Sequence, residues 1–361
     1  MVRKFHLSIV LTNKCNLNCI YCYEKGKSNR SISVNVVKEI VSEYLNSPNY
    51  DEVEIDFFGG EPFLEFEKIK KICEWVWSNK WKNKYLFFAT TNGVLVHGEI
   101  QEWLRKNKKY FWVCLSLDGM PESHNKNRNN SYDKIDIPFF KECWPKQTVK
   151  MTISKETVGS IFDNIIHIHS MGFDITGTNF AEGINWEDDK FTAIVTDQLE
   201  KLCRYYIAHP EIKPVPLLNM AIHKCEEKKT KRKWCGCGEF MAAYETDGKK
   251  YPCTFFSPMT FERNTLNEIM KMDFTCPSNF IDMECFEKCY LEPVCNCCYG
   301  ANLMINGVVN RRDRSKCKLM QIRAVFSAAL KAHYLQNHAE GTHENKLTLK
   351  AIRKINELYN K

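Results

Sequence analysis

The sequence predicts an α/β protein: a parallel sheet first, then a cysteine-rich region, then a helical tail. Three observations carry this. Six short apolar runs alternate with helical patterns over the first half of the chain, eleven cysteines crowd residues 225–317 where apolar periodicity is scarce, and the chain from residue 319 onward reads as helix.

Taken in order, the strands are "FHLSIVLT" (5–12), "VEIDFF" (53–58), "YLFFAT" (85–90), "YFWVCLSL" (110–117), "VKMTIS" (149–154) and "FDITGT" (173–178). They are near-continuously apolar, as strands buried on both faces tend to be. Between them, Val37, Ile40, Val41, Tyr44 and Leu45 mark one apolar helix face, and Val158, Ile161, Phe162, Ile165 and Ile166 another. Such alternation implies right-handed crossovers, in a sheet either doubly wound or curled into a partial barrel. Loops at the C-terminal ends of the strands are then expected to carry the chemistry. The second part opens with a helix and the charged stretch "KCEEKKTKRKWC" (224–235), and its poverty in apolar pattern suggests organisation by metal. "LMQIRAVFSAALKAHYL" (319–335) and "LTLKAIRKINELY" (347–359) complete the chain as helices. The expected domains are 1–200, 201–318 and 319–361.

Composition narrows the class. Forty-four per cent apolar and 26% charged residues describe a globular protein. No run approaches the roughly 18 apolar residues of a membrane span. The start "MVRKFHLSIVLTNKC" has too short an apolar run for a signal peptide and lacks a small-residue cleavage site, so a cytoplasmic protein is expected. Eighteen cysteines are odd there, because the cytosol keeps thiols reduced; metal or cluster binding accounts for them better than disulfides. A net charge of +7 permits an acidic partner without demanding nucleic acid.

The stretch "CNLNCIYCYE" puts Cys15, Cys19 and Cys22 on the loop after the first strand. Iron–sulfur cubanes normally take four thiolates, so three leave one iron open; the alternative is a structural zinc site with a distant fourth ligand. "GGEP" (59–62) follows the second strand, "TTNG" (90–93) the third and "SLDG" (116–119) the fourth, with Arg128 in "HNKNR" beyond. Singly, each reads as a turn. Together, in register after successive strands, they resemble the radical S-adenosylmethionine (SAM) superfamily. That resemblance implies a partial (β/α)6 TIM-like barrel, with a [4Fe–4S] cluster on Cys15, Cys19 and Cys22 whose open iron SAM chelates. By the same resemblance Tyr21 positions the adenine, and Gly59, Gly60, Glu61 and Pro62 approach the amino group. Ser116 and Arg128 partner the carboxylate, with Asn92 and Asp118 in the same cofactor-binding set. Reductive cleavage of SAM would give methionine and a 5′-deoxyadenosyl radical that abstracts hydrogen from substrate. No catalytic residue beyond the cluster cysteines is implied.

The later cysteines resemble the SPASM domain of peptide-modifying members of that superfamily, which carries two auxiliary [4Fe–4S] clusters. By that resemblance Cys285, Cys289, Cys295 and Cys317 hold the outer cluster; Cys253, Cys298 and one or both of Cys235 and Cys237 hold the inner one. The spacing departs from the usual pattern, leaving Cys297 against Cys298 open and Cys225 as a further contributor; zinc ribbons also use such spacings. Cys73, Cys114, Cys143 and Cys203 sit in apolar patterns and are expected in packing, and Cys276 fits either role. The implied function is maturation of a ribosomally made, cysteine-rich precursor peptide by thioether crosslinking. The alternatives are anaerobic formylglycine formation, carbon–carbon crosslinking and epimerisation. "YPC" is followed by Thr254 where the sulfatase-maturating branch has its aspartate base, and a hydroxyl is no base near neutral pH. A strand starting near residue 5 leaves no room for a leader-binding domain before it. Leader binding then falls to another surface or to a separate protein, and the basic run 224–233 is either that surface or a solvated loop. A flavodoxin or ferredoxin is the expected electron donor, with neither nucleic acid nor membrane as partner.

Overall fold

A computed structural model describes residues 2–146, 148–337 and 341–359, the side chains of Thr176 and Asn337 excepted. Of the tail expected over 319–361, residues 338–340 and 360–361 lie outside the described residues. The chain divides into two compact units that interleave along the sequence: residues 1–117, 128–149 and 236–276 form one, and 118–127, 150–235 and 277–361 the other.

The first unit is built on β1 (Lys4–Thr12), β2 (Glu52–Gly59), β3 (Lys84–Thr91) and β4 (Phe111–Leu115), joined by α1 (Val34–Asn46), α2 (Phe66–Trp77) and α3 (Glu99–Asn107). The four strands lie parallel in the order β4-β3-β2-β1, as strand–helix alternation requires. Val37, Ile40, Val41, Tyr44 and Leu45 of α1 are buried together, the face expected from their spacing. Two later strands extend the sheet beyond β1. β7 (Met241–Tyr244) pairs parallel to β1 from His6↔Met241 to Ile9↔Tyr244, and β8 (Lys250–Tyr251) adds antiparallel to β7. No apolar run announces "MAAY"; its backbone pairing, not its side chains, makes it a strand.

The strands are less uniformly apolar than expected. Phe5, Leu7 and Ile9 of β1 are in register with Val53, Ile55 and Phe57 of β2, and all six are fully buried or nearly so. Phe57 stacks on Phe87 at 5.5 Å, Phe87 on Phe111 at 6.2 Å, and Trp77 of α2 and Trp103 of α3 meet this row edge-on at 6.1 and 5.4 Å. The alternate positions are polar: His6 and Ser8 stand beside Glu54 and Asp56. This is the period-two signature of a sheet whose other face serves something besides packing.

His6 bridges both carboxylates, Nδ1 to Glu54 at 3.2 Å and Nε2 to Asp56 at 3.4 Å. Burial alone would lower its pKa, but the hydrogen bonds and charges of Asp56 and Glu54 outweigh burial and raise it to about 9. The folded state therefore holds this proton more tightly than the free side chain, whose pKa is about 6.5. The stabilisation is complete below about pH 6.5 and is lost as pH rises through 9. In urea unfolding, the stability advantage of wild type over His6→Gln should be constant from about pH 5 to about 6.5 and shrink as pH rises through 9. An advantage unchanged up to about pH 10 would contradict the ion-pair account.

The second unit holds β5 (Thr148–Ile153, starting at the unit boundary) and β6 (Asp174–Phe180), which pair in a sheet of their own. Around them run α4 (Pro121–Asn127), α6 (Ile161–Ser170) and α7 (Asp189–Ala208), while α5 (Ile137–Cys143) belongs to the first unit, as does α8 (Arg263–Met270). On α6, Ile161 and Ile165 are buried as expected, but Ile168 takes the inward place assigned to Ile166. α9 (Met283–Lys288) and α10 (Tyr299–Asn306) lie in the cysteine-rich region, and α11 (Cys317–Asn337) and α12 (His343–Tyr359) form the helical tail. α11 and α12 close an apolar cluster that includes Ile222, Leu291, Ala324, Ala328 and Ile355. No helix among the described residues is long and apolar enough to cross a membrane.

Candidate functional site

The loop after β1 closes on itself, so that its cysteines are presented from a fixed base. Asn13 N donates to Arg30 O at 3.0 Å, Ser28 N to Asn13 O at 3.2 Å and Ile32 N to Leu11 O at 3.0 Å. Within it Lys27 Nζ holds Leu17 O at 2.8 Å and Cys22 N donates to Cys19 O at 3.1 Å. Cys15, Cys19 and Cys22 are half-buried, and Leu17 N–H points at Cys15 Sγ at 3.5 Å. Burial pushes the Cys15 thiol up to about 11, against the opposing pull of that N–H and of Lys27. A bound cation would have to displace the proton, as thiolate ligation requires.

The loop after β2 lies backbone to backbone on the first. Gly60 N donates to Thr12 O at 3.0 Å and Glu61 N to Lys14 O at 2.9 Å. A Cβ on Gly59, whose φ is +139°, would overlap Thr12 O; one on Gly60 would overlap Lys14 O and stand 2.9 Å from Cys15 Cβ. The two glycines are therefore the condition of contact between the loops.

Glu61, expected at the cofactor, uses both carboxylate oxygens within the protein. Oε1 accepts from Thr91 Oγ1 at 2.7 Å and from Phe63 N at 3.2 Å, and Oε2 accepts from Asn92 N at 2.8 Å. Its pKa is raised to about 7 by burial, against these hydrogen bonds and the charge of Arg128. Asn92 Nδ2 in turn donates to Asn16 Oδ1 at 2.8 Å, and its Oδ1 accepts from Val94 N at 3.0 Å. Ser116 N donates to Thr91 O at 2.9 Å. The loops after the first four strands are thus pinned to one another through Glu61, Asn92, Thr91 and Asn16. The last two were missed in the sequence, where Thr and Asn read as ordinary turn residues; their place inside "CNLNC" and "TTNG" was the available signal. Pro62 is buried at the start of the turn that follows.

Arg128 and Ser116 are both buried, and the Arg128 guanidinium lies over the Tyr21 ring at 5.4 Å. Tyr21, Glu61, Asn92, Ser116 and Arg128 therefore gather in the first unit with the three cysteines. Asp118 belongs to the second unit, where Oδ1 accepts from Thr152 N at 3.0 Å and Oδ2 from Asn127 Nδ2 at 3.1 Å; its side chain ties its turn to β5 and α4.

The second unit contains a cavity of about 110 Å³ lined by Cys285, Cys289, Cys295, Cys298 and Cys317. Asp282 caps α9 by accepting from Cys285 N at 3.1 Å, and also accepts from Arg312 N at 2.8 Å. Arg312 reaches Cys295 O at 2.9 Å, Lys229 Nζ reaches Cys289 O at 2.9 Å, and the Arg314 guanidinium meets Cys285 Sγ. Cations and N–H donors thus surround these thiols, and burial raises the pKa of Cys295 and of Cys317, and that of Cys285 to about 11. Among the described residues no three Cys, His, Asp or Glu side chains close on a single metal ion. The sulfur atoms are set around a volume, which suits a polynuclear group whose thiolates are spread over a core.

Cys297 and Cys298 face different ways. Cys298 lines the smaller cavity, whereas Cys297 lines a second one of about 600 Å³, accepts from Asn302 Nδ2 at 3.2 Å and feels the charge of Cys235. In the first unit Cys237 and Cys253 lie on segments joined by Gly238 N to Pro252 O at 2.9 Å. Cys225 is buried in the apolar cluster beneath α12, and Cys73, Cys114, Cys143 and Cys203 are buried.

Residues 9–192 match the radical SAM superfamily. A cysteine-type anaerobic sulfatase-maturating enzyme of Clostridium perfringens is 34% identical over 125 residues, covering 32% of this chain and 33% of that enzyme. The chain spans about a third of the length of the first curated relatives it matches. The structure of native anSMEcpe with bound AdoMet is similar in fold, with a TM-score of 0.70 at 18% identity over 93% of this chain and all of that one. That of Streptococcus suis SuiB bound to precursor peptide SuiA has a TM-score of 0.56 at 20% identity, over 87% of this chain and 76% of that one.

Proposed function

The chain belongs to the radical SAM superfamily, and on that premise we propose that it is an enzyme modifying a peptide, with SAM and [4Fe–4S] clusters as cofactors. Cys15, Cys19 and Cys22 would hold the SAM-binding cluster. When bound, this pair supplies one-electron cleavage of SAM and removal of a hydrogen atom from an unactivated carbon. The chain's own share is binding and orientation. Gly59 and Gly60 keep the second loop against the cysteine loop, and Tyr21 with Arg128 forms a flat, cationic wall suited to an adenine ring and a carboxylate. Glu61 and Asn92 act one step back, fixing the loops that present those groups. Cys285, Cys289, Cys295 and Cys317 would hold an outer auxiliary cluster.

The observation that carries the peptide reading is the second, thiol-lined cavity in a chain that already has a complete three-cysteine loop. In finer terms the reaction is thioether formation on a cysteine-rich precursor peptide, joining a cysteine sulfur to a carbon with net loss of the S–H and C–H hydrogens. Conversion of a cysteine to formylglycine is the second reading. The match to the Clostridium perfringens maturating enzyme favours it, and Thr254 after "YPC" weighs against it. A flavodoxin- or ferredoxin-type protein would deliver the electrons.

The reconstituted enzyme, given SAM, dithionite and a cysteine-containing precursor peptide, tests this. A thioether consumes a free thiol and a pair of hydrogen atoms, whereas formylglycine yields an aldehyde that a hydrazide captures. Cys289→Ala should keep SAM cleavage but lose peptide modification. Full peptide turnover in that variant would remove the auxiliary-cluster assignment.

A further inference from the structure

The cavity of about 600 Å³ in the second unit has an unbalanced lining: seven basic side chains against two carboxylates. Four of the cations are already engaged. Lys229 holds Phe286 O and Cys289 O, Arg312 pairs with Glu292 at 2.7 Å, and Arg323 donates to Leu217 O and Pro216 O. Lys233 lies over the Phe280 ring at 5.5 Å. Lys224, Lys228 and Arg232 are different: their side chains find no acceptor among the described residues, and Lys228 and Arg232 are exposed at the cavity. The run that carries them, which the sequence left between a docking surface and a solvated loop, thus lines a concave site. Between the cations the wall is mixed, with the apolar Trp234, Ile281, Pro293 and Val294 beside the polar Asn219, Thr230 and Asn296.

We propose that this cavity binds an acidic segment of the peptide substrate, its carboxylates meeting Lys224, Lys228 and Arg232 and its apolar side chains lying on the Trp234 side. The assignment rests on the peptide-modifying reading above for what the segment belongs to. Mixed cationic and apolar lining suits a peptide, which presents carboxylates and hydrocarbon alternately, and clustered cations are a recurrent means of reading acidic motifs. A nucleic-acid strand would call for successive exposed aromatic platforms along a basic track. Here Phe280 and Tyr299 are buried and only Trp234 is exposed.

The test is anisotropy of a fluorescein-labelled peptide of alternating glutamate and leucine, added to the reconstituted full chain without SAM or reductant. A glutamine–leucine peptide and an oligothymidylate serve as competitors. The glutamate peptide should bind, weaken as salt screens the contact, and lose at least about tenfold in affinity with the surface double variant Lys228→Glu/Arg232→Glu. Equal binding of the glutamine peptide, unchanged affinity in the variant, or tighter binding of the oligothymidylate would each overturn the proposal. Because no turnover is needed, a chain that binds the acidic peptide yet never cleaves SAM would refute the enzymatic reading alone. One that modifies peptides without selecting acidic ones would refute only this assignment.

Discussion

Cys22→Ala is expected to lower SAM cleavage by at least about a thousandfold, a barrier increase of ~4 kcal/mol, without unfolding the chain. The loop's framework does not depend on this side chain. Its closing hydrogen bonds run through Asn13, Arg30, Ser28 and Ile32, and the Cys22 thiol makes a long contact of 3.8 Å to Glu24 O. What the substitution removes is one of three sulfur donors presented by a single loop, and two donors do not hold a cubane. Iron bound at the outer cavity should remain, since Cys285, Cys289, Cys295 and Cys317 lie in the other unit. Chromatographic quantification of 5′-deoxyadenosine together with iron content checks both halves. Cleavage at the wild-type rate would mean that Cys22 is not a ligand.

Gly60→Ala should also be damaging, to a smaller degree and by a different route. Gly60 has an ordinary backbone conformation, so the cost is not one of φ; a methyl there would drive into Lys14 O, with Lys14 C at 2.6 Å and Cys15 Cβ at 2.9 Å. The obstacle is backbone, which cannot swing aside as a flexible side chain can, so the two loops must part. The hydrogen bonds from Gly60 N to Thr12 O and from Glu61 N to Lys14 O lengthen with them. Affinity for SAM is expected to fall at least about tenfold, and thermal stability by about 1–3 kcal/mol as for other overpacked sites. Gly159→Ala is the matched control, with nothing within 4 Å of the added carbon. Equal SAM affinity in wild type and Gly60→Ala, measured by calorimetry, would show that the loops need not touch.

Much of the fold was legible because the signal was local. β1 to β4 fell where their apolar runs stood, and α1 buried the residues its 3.6-residue period selected. β7 was invisible, because four residues of "MAAY" become a strand only by pairing with a chain segment more than two hundred residues earlier. The polar row His6, Ser8, Glu54 and Asp56 was read through as apolar run, although its alternation was present in "EVEIDFF". At the site, motif spacing singles out the loops, and the folded chain shows which of their side chains also hold the loops together. Glu61, Asn92 and Asp118 were expected at the cofactor, and their side chains are spent on the protein itself. Spacing could not separate Cys297 from Cys298 either. Neighbouring side chains diverge, and only the folded backbone sets which cavity each one lines.

We propose that the loops after the first strands form a cradle for a SAM-cleaving cluster. This is tested most directly by anaerobic reconstitution with iron and sulfide, addition of dithionite and SAM, and quantification of 5′-deoxyadenosine and bound metal. The expected result is stoichiometric or greater 5′-deoxyadenosine with at least about eight irons per chain, four for each of the two cubanes proposed above. Zinc in place of iron, or iron without any 5′-deoxyadenosine, would contradict it.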